Sequence, residues 1–230
     1  MIKMIVSDVA GTTVKDDGLV TKAFTLAMQE MGVDPLSEQM AKMVEYVNQT
    51  MGERKIDVFT HLCEGDMERA NKAHDHFVEH YVNLVKQGEI SEFDGVTEAF
   101  RTFRARGIAI AITTGFPREI LDEIIKALHW ENEIDFSVAA SEVEHGRPYP
   151  DMINRAIEMY SLRENVELTP DEVVAIGDTL SDVGSGTSAH THAIYGVTSG
   201  AHSAEQLANA GATAVLASFT ELLQLIELIY

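Results

Sequence analysis

The stretch IKMIVSDVAGTT, residues 2–13, decides the fold. Its first six residues form a short, mostly apolar run, the length of one buried strand, and the run stops at a carboxylate, Asp8. Gly11, Thr12 and Thr13, and then Asp16, Asp17 and Gly18, read as loop. In an open parallel sheet, reactive groups gather just beyond the carboxyl ends of the strands, so an acid in this position is a candidate for chemistry.

Working outward, the texture changes at about residue 20. Phe24, Ala27, Met28 and Met31 fall at helical spacing, as do Met40, Met43, Val44 and Val47, and later Phe77, Tyr81, Leu84 and Val85. Gly32 and Gly88 read as C-terminal stops. No strand-like alternation interrupts residues 20–87. After Gly95, helices expected at 96–106, 118–128, 151–160, 204–210 and 220–229 alternate with strands expected at 108–113, 136–139, 173–176, 192–197 and 214–216. That rhythm predicts an α/β protein with a Rossmann-like parallel-sheet core, residues 1–15 and 93–230, interrupted by an inserted α-helical cap, residues 16–92. The hinges are expected near residues 15–19 and 89–94.

Four expected strand ends carry polar groups suited to one kind of reaction: Asp8-Val9-Ala10-Gly11-Thr12, then Thr113-Thr114-Gly115, then Gly146-Arg147-Pro148, then Gly177-Asp178-Thr179-Leu180-Ser181-Asp182. A strand-end carboxylate such as Asp8 can attack phosphorus and form an aspartyl-phosphate. A hard cation such as Mg²⁺ takes carboxylate and backbone carbonyl oxygens, which Asp8, Asp178 and the carbonyl of Ala10 offer. Asp182, four residues beyond Asp178, can orient it or a bound water. The hydroxyl of Thr114, the amide of Gly115 and the guanidinium of Arg147 can bind phosphoryl oxygens where charge develops.

These four elements, in this order, resemble the motifs of the haloacid dehalogenase superfamily, and the helical insertion resembles its C1-type cap. The phrases at Asp8–Thr13, Thr113–Glu119 and Gly146–Pro150 are similar to those of the phosphonoacetaldehyde hydrolase (phosphonatase) and phosphonatase-like group. Superfamily phosphatases carry a second Asp two residues after the nucleophile; here that position is Ala10, which cannot donate a proton. The third motif usually has Lys and here has Arg147. The resemblance implies P–C bond cleavage of a small phosphonate aldehyde, with a cap lysine condensing with the aldehyde as a Schiff base. The phrase Met51-Gly52-Glu53-Arg54-Lys55-Ile56-Asp57 puts Lys55 on that position. A free lysine titrates near ~10.4, so the site must depress it; a neighbouring cation, Arg54 or the metal, and partial burial are the expected means. At the group's histidine and cysteine positions this chain has Val58 and, roughly, Leu19. The alternative reading is a phosphomonoester hydrolase acting on a small phosphorylated metabolite, with Lys55 as a substrate contact. A third is a non-catalytic binding protein that kept the fold. The resemblance also implies a homodimer through the cap.

Composition narrows the partners. With 37 acidic and 17 basic residues the formal charge is −20, which disfavours nucleic acid and anionic membrane surfaces. The longest apolar runs are too short to span a bilayer. One cysteine, Cys63, and no secretory pattern at the start point to the cytoplasm. His76 and His80 lie four apart, but lack the companions of a zinc motif and read as a paired solvated face. His145 reads as a loop residue beside Arg147, Cys63 as a small core side chain, and the methionines of residues 16–92 as core or a dimer surface.

Overall fold

The computed structural model describes residues 1–226. Strand β1 (Met4–Asp8) runs into a short ribbon strand β2 (Val14–Lys15). Four helices follow: α1 (Leu19–Glu30), α2 (Glu38–Gln49), α3 (Lys55–Leu62) and α4 (Met67–Lys86). Strand β3 (Ser91–Glu92) then pairs antiparallel with β2. The remainder alternates: α5 (Val96–Ala105), β4 (Ala109–Thr114), α6 (Arg118–Ala127), β5 (Phe136–Ala139), α7 (Asp151–Glu164), β6 (Val173–Gly177), α8 (Leu180–Ser188), β7 (Ala193–Val197), α9 (Ala204–Asn209), β8 (Ala214–Leu216) and α10 (Leu222–Ile226). Among the described residues, six strands form one parallel sheet in the order β5-β4-β1-β6-β7-β8. The α/β class and the Rossmann-like parallel sheet are as expected.

Alternation along the strands explains the layers. Met4 and Val6 of β1, with Ala109 and Ala111 of β4, face one cluster that includes Met152, Ile153 and Ala156 of α7. Ile5, Ile110 and Ile112 point the other way, into a cluster with Val96, Phe100 and Phe103 of α5 and Ile120 and Ile124 of α6. A strand buried on both faces shows no polar alternation, which is why these runs read as continuous apolar segments. Phe100, Trp130 and Phe219 pack edge-to-face, with centroids 5.1 and 5.4 Å apart. Burying each such ring is worth about 1.5–3 kcal/mol.

The helices begin where the sequence supplies caps. Ser37 Oγ accepts from the Met40 amide, and Asp66 from the Arg69 amide. Gly32 and Gly88 follow the ends of α1 and α4, as expected. Met28, Met40 and Met43 are buried core residues, and Cys63 is buried at the end of α3. Three details differ from expectation. The β2–β3 ribbon lies at the two crossings read as hinge loop; two residues per strand carry no periodicity to detect. Helix α7 runs on to Glu164, through an exposed turn with no apolar signal, and stops at Asn165, which has φ 54°. His76 and His80 are not simply solvated: both contact Glu30, at 2.6 and 2.8 Å, and tie α4 to α1. The last expected helix reaches Ile229; residues 227–230 lie outside the described residues. Among the described residues no helix is long and apolar enough to cross a membrane.

Candidate active site

Strand β1 lies between β4 and β6, with Asp8 opposite Thr113 and Ser7 opposite Ile176. This register brings the ends of three strands, carrying Asp8, Thr114 and Asp178, to one edge of the sheet. They line a cavity of about 460 Å³. Ala10, Gly115 and Lys55 line it too, as do Asp16, Met51 and Phe116, and Ser199–Ala201 close another side. The chemistry expected from four separate stretches is thus collected in one place, with two exceptions, Arg147 and Asp182.

Arg147 is the first of these. It is buried, but behind Asp8 rather than in the cavity. Its Nη1 donates to Asp8 Oδ1 at 2.5 Å, its Nη2 to the Thr113 carbonyl at 2.9 Å and hydroxyl at 2.6 Å, and its Nε lies 2.9 Å from Asp182 Oδ1. Here the guanidinium acts as an internal counter-ion to Asp8 and Asp182. Asp182 likewise does not reach Asp178. It accepts from the Thr179 amide (3.0 Å) and hydroxyl (2.6 Å), and Thr179 caps α8 in return.

Asp178 accepts from Thr12 Oγ1 at 3.0 Å and from the Ala201 amide at 2.7 Å. Its fit is tight: a Cβ at Gly200 would stand 2.0 Å from Asp178 Oδ2. Oxygens of Asp8, Asp178 and Asp182 lie within 4.8 Å of one another, the one such metal-capable group among the described residues. One arginine does not neutralise three buried carboxylates. Burial, and then the Asp182 charge, push Asp178 up to about 6, and burial drives Asp8 well above the usual carboxylate range despite Arg147. An all-oxygen donor set short of positive charge fits a hard divalent cation.

Lys55 opens α3 and is only 5% exposed. Its backbone N–H donates to the Gly115 carbonyl at 3.2 Å, so the β4 loop holds the lysine's main chain directly. A Cβ at Gly115 would come 2.3 Å from the Glu53 carbonyl, and one at Gly52 (φ 84°) 2.6 Å from Thr179 Oγ1; only glycine permits these approaches. Among the described residues no carboxylate lies within ion-pair distance of Lys55 Nζ, which stands 5.8 Å from the Phe116 ring centroid. Burial lowers its pKa to about 8 against the pull of Asp16, Asp8 and Glu53, and Arg147 adds to the lowering. The expected helper Arg54 plays no part in this; its Nη1 donates to the Glu144 carbonyl at 2.9 Å. Val58 and Leu19 are buried apolar residues, and His145 pairs with Asp151 at the surface. Thr114 Oγ1 accepts from the Phe116 amide at 3.2 Å, which leaves its own hydrogen to donate into the cavity.

Several residues here escaped the sequence reading. Ser199–Ala201 follow β7 and could have been found by extending the strand-end rule one strand further. Tyr81 was read only as a core position, yet its fully buried hydroxyl has no hydrogen-bond partner among the described residues, and its ring lies 4.7 Å from Phe116. Burial, followed by the Asp16 and Asp8 charges, raises its pKa well above the usual tyrosine value. An unsatisfied buried hydroxyl costs about 1–3 kcal/mol. Tyr81→Phe is therefore expected to stabilise the fold by about 1 kcal/mol, a rise of roughly 2–4 °C in Tm for a chain of this size; a clearly lower Tm would show that the hydroxyl has a partner after all.

The family model for haloacid dehalogenase-like hydrolases matches residues 2–190. A phosphonoacetaldehyde hydrolase of Bacillus mycoides is 30% identical over 206 residues, covering 82% of this chain and 73% of that protein. A bifunctional phosphonoacetaldehyde hydrolase/aminoethylphosphonate transaminase of Clostridioides difficile is 30% identical over the same length, and the chain spans only 30% of it. Among solved structures, a phosphonoacetaldehyde hydrolase-like protein of Oleispira antarctica superposes with a TM-score of 0.80 at 20% identity, over 99% of this chain and 92% of that one.

Proposed function

The chain belongs to the haloacid dehalogenase-like hydrolases, in their phosphonatase-like group, and on that premise we propose that it cleaves the P–C bond of a small phosphonate aldehyde such as phosphonoacetaldehyde. Residues 16–92 act as a cap over a core of residues 1–15 and 93–230. Asp8 is the nucleophile. Asp8, Asp178 and the Ala10 carbonyl hold Mg²⁺, with Asp182 beside them. Mg²⁺ bound there supplies positive charge to the phosphonyl oxygens and the attacking carboxylate.

The observation that carries the reading is a buried amine, Lys55, in the same cavity as a strand-end carboxylate whose neighbour two residues on is Ala10. Ester cleavage wants an acid to protonate an alkoxide, and Ala10 offers none. P–C cleavage wants an electron sink, because a carbanion is a very poor leaving group. Lys55 Nζ adds to the aldehyde carbon and, with loss of water, forms an iminium. Asp8 then attacks phosphorus, and the P–C electron pair flows into the iminium as an enamine. Thr114 and the Gly115 amide bind the phosphonyl oxygens. Arg147 holds Asp8 in place from behind and offsets the charge of Asp182. Water finally cleaves the aspartyl-phosphate.

The test is Mg²⁺-dependent phosphate release from phosphonoacetaldehyde beside an aryl phosphate, with Asp8→Ala as blank. Strong preference for the phosphonate supports the proposal. Turnover of esters alone would overturn it in favour of a phosphatase acting on a phosphorylated metabolite. The amine also sets a pH dependence. Lys55 is protonated below its pKa, and only the free amine attacks. The rate at which an amine-acylating reagent labels Lys55 should therefore climb about tenfold per pH unit below about 8 and level off above it. A rate still climbing steeply at pH 9.5 would mean an unperturbed lysine.

A further inference from the structure

We infer that Asp16 is the acid–base residue that forms and hydrolyses the Lys55 iminium. The inference rests on the P–C reading above and supplies what that reading lacks. Imine chemistry needs a proton carrier beside the amine. Ala10 cannot serve, and the α3 position one turn after Lys55 is the buried Val58. The ionisable groups lining the cavity are Asp8, Lys15, Asp16, Asp17, Lys55 and Asp178. Asp8 is committed to phosphorus and Asp178 to the cation site. Lys15 is paired with Asp94 at 3.2 Å, and Asp17 is exposed. Asp16 remains.

Its placement suits the task. Asp16 lies in the turn between β2 and α1, half-buried, and lines the same cavity as Lys55. One carboxylate oxygen is fixed by the Val20 amide at 3.2 Å, and its backbone carbonyl by the Leu19 amide at 2.7 Å. No cation pairs with it among the described residues. Of the charged groups acting on Lys55, Asp16 exerts the largest effect. Burial raises its carboxyl above the ordinary carboxylate range.

The steps balance. Lys55 Nζ adds to the aldehyde to give a carbinolamine. The Asp16 acid donates its proton to the carbinolamine hydroxyl, the C–O bond breaks, water leaves, and the nitrogen lone pair forms the iminium. After P–C cleavage the enamine carbon takes up the proton released when water cleaves the aspartyl-phosphate, and a second water adds to the product iminium. Its proton passes to the Asp16 carboxylate, and collapse of the second carbinolamine frees the aldehyde and the amine. Asp16 ends as it began.

Because the same carboxylate also caps the start of α1, the experiment must separate capping from proton transfer. Asp16→Asn keeps a good capping side chain but has no acid. It should lower kcat on phosphonoacetaldehyde and the rate of borohydride-trapped adduct together by ~10²–10³-fold, with KM little changed. In Asp16→Ala, added formate or acetate should restore trapping in proportion to its concentration. Trapping by Asp16→Asn at the parent's rate would overturn the inference, as would a loss in Asp16→Ala that small carboxylic acids do not move. Absence of any trapped adduct in the parent would fell the P–C reading first, and this inference with it.

Discussion

Lys55→Arg is expected to lose P–C cleavage by on the order of 10³-fold or more, equivalent to about 4 kcal/mol of barrier. The substitution keeps the charge and nearly the length, so the field at Asp8 and Asp16 changes little. A guanidinium stays protonated at any working pH and forms no imine, so the electron sink disappears. Borohydride with substrate should leave a mass adduct on the parent chain at Lys55 and none on the variant. Full turnover by Lys55→Arg would sink the covalent role and leave the lysine as a contact for an anionic group.

The second large effect concerns stability. Among the described residues Arg147 is the one cation touching both Asp8 and Asp182. Arg147→Met fits the space but leaves three neighbouring buried carboxylates uncompensated. Breaking a buried pair from one side typically costs about 3–5 kcal/mol, so a Tm fall of roughly 10 °C is expected in chelator. Mg²⁺ should recover part of the loss, because an ion that binds only the native site stabilises it. Acid should recover part as well. Asp178 titrates near 6 when folded and near ~3.9 when unfolded, so between those values the native chain holds the extra proton. Stability then falls as pH rises through that window in both chains, but removing Arg147 also removes what lowers Asp8, so the variant gains more from acid and the gap to the parent should narrow toward pH 5. An unchanged Tm in chelator would mean that Arg147 is dispensable as a counter-ion.

The sheet was legible because its strands are buried on both faces and so read as unbroken apolar runs. Asp8, Thr114 and Asp178 were legible because a polar residue ending such a run has few structural reasons to be there. The roles that could not be read depend on contacts between distant parts of the chain. Arg147 sits in a recognisable loop, but only the packing of that loop against Thr113 and Asp182 turns its side chain away from the cavity. Asp16 looked like an ordinary turn residue until the fold set it across from Lys55, and Tyr81 like any other position on an apolar stripe. The β2–β3 ribbon is too short for any periodicity.

The seam where Gly52 and Glu53 meet Gly115 and Thr179 leaves no room for a methyl group on either glycine, Gly115 lying against the main chain of residues 52 and 53 and Gly52 against the Thr179 side chain. For anyone wishing to retarget the enzyme, that divides the cavity into two kinds of wall. Positions at the seam admit no variation without spoiling the alignment of amine and carboxylate. Val20, Asn48, Met51 and Phe93 line the same cavity with replaceable side chains away from the seam. Libraries confined to those four positions should change which substrate is accepted while keeping the reaction itself intact.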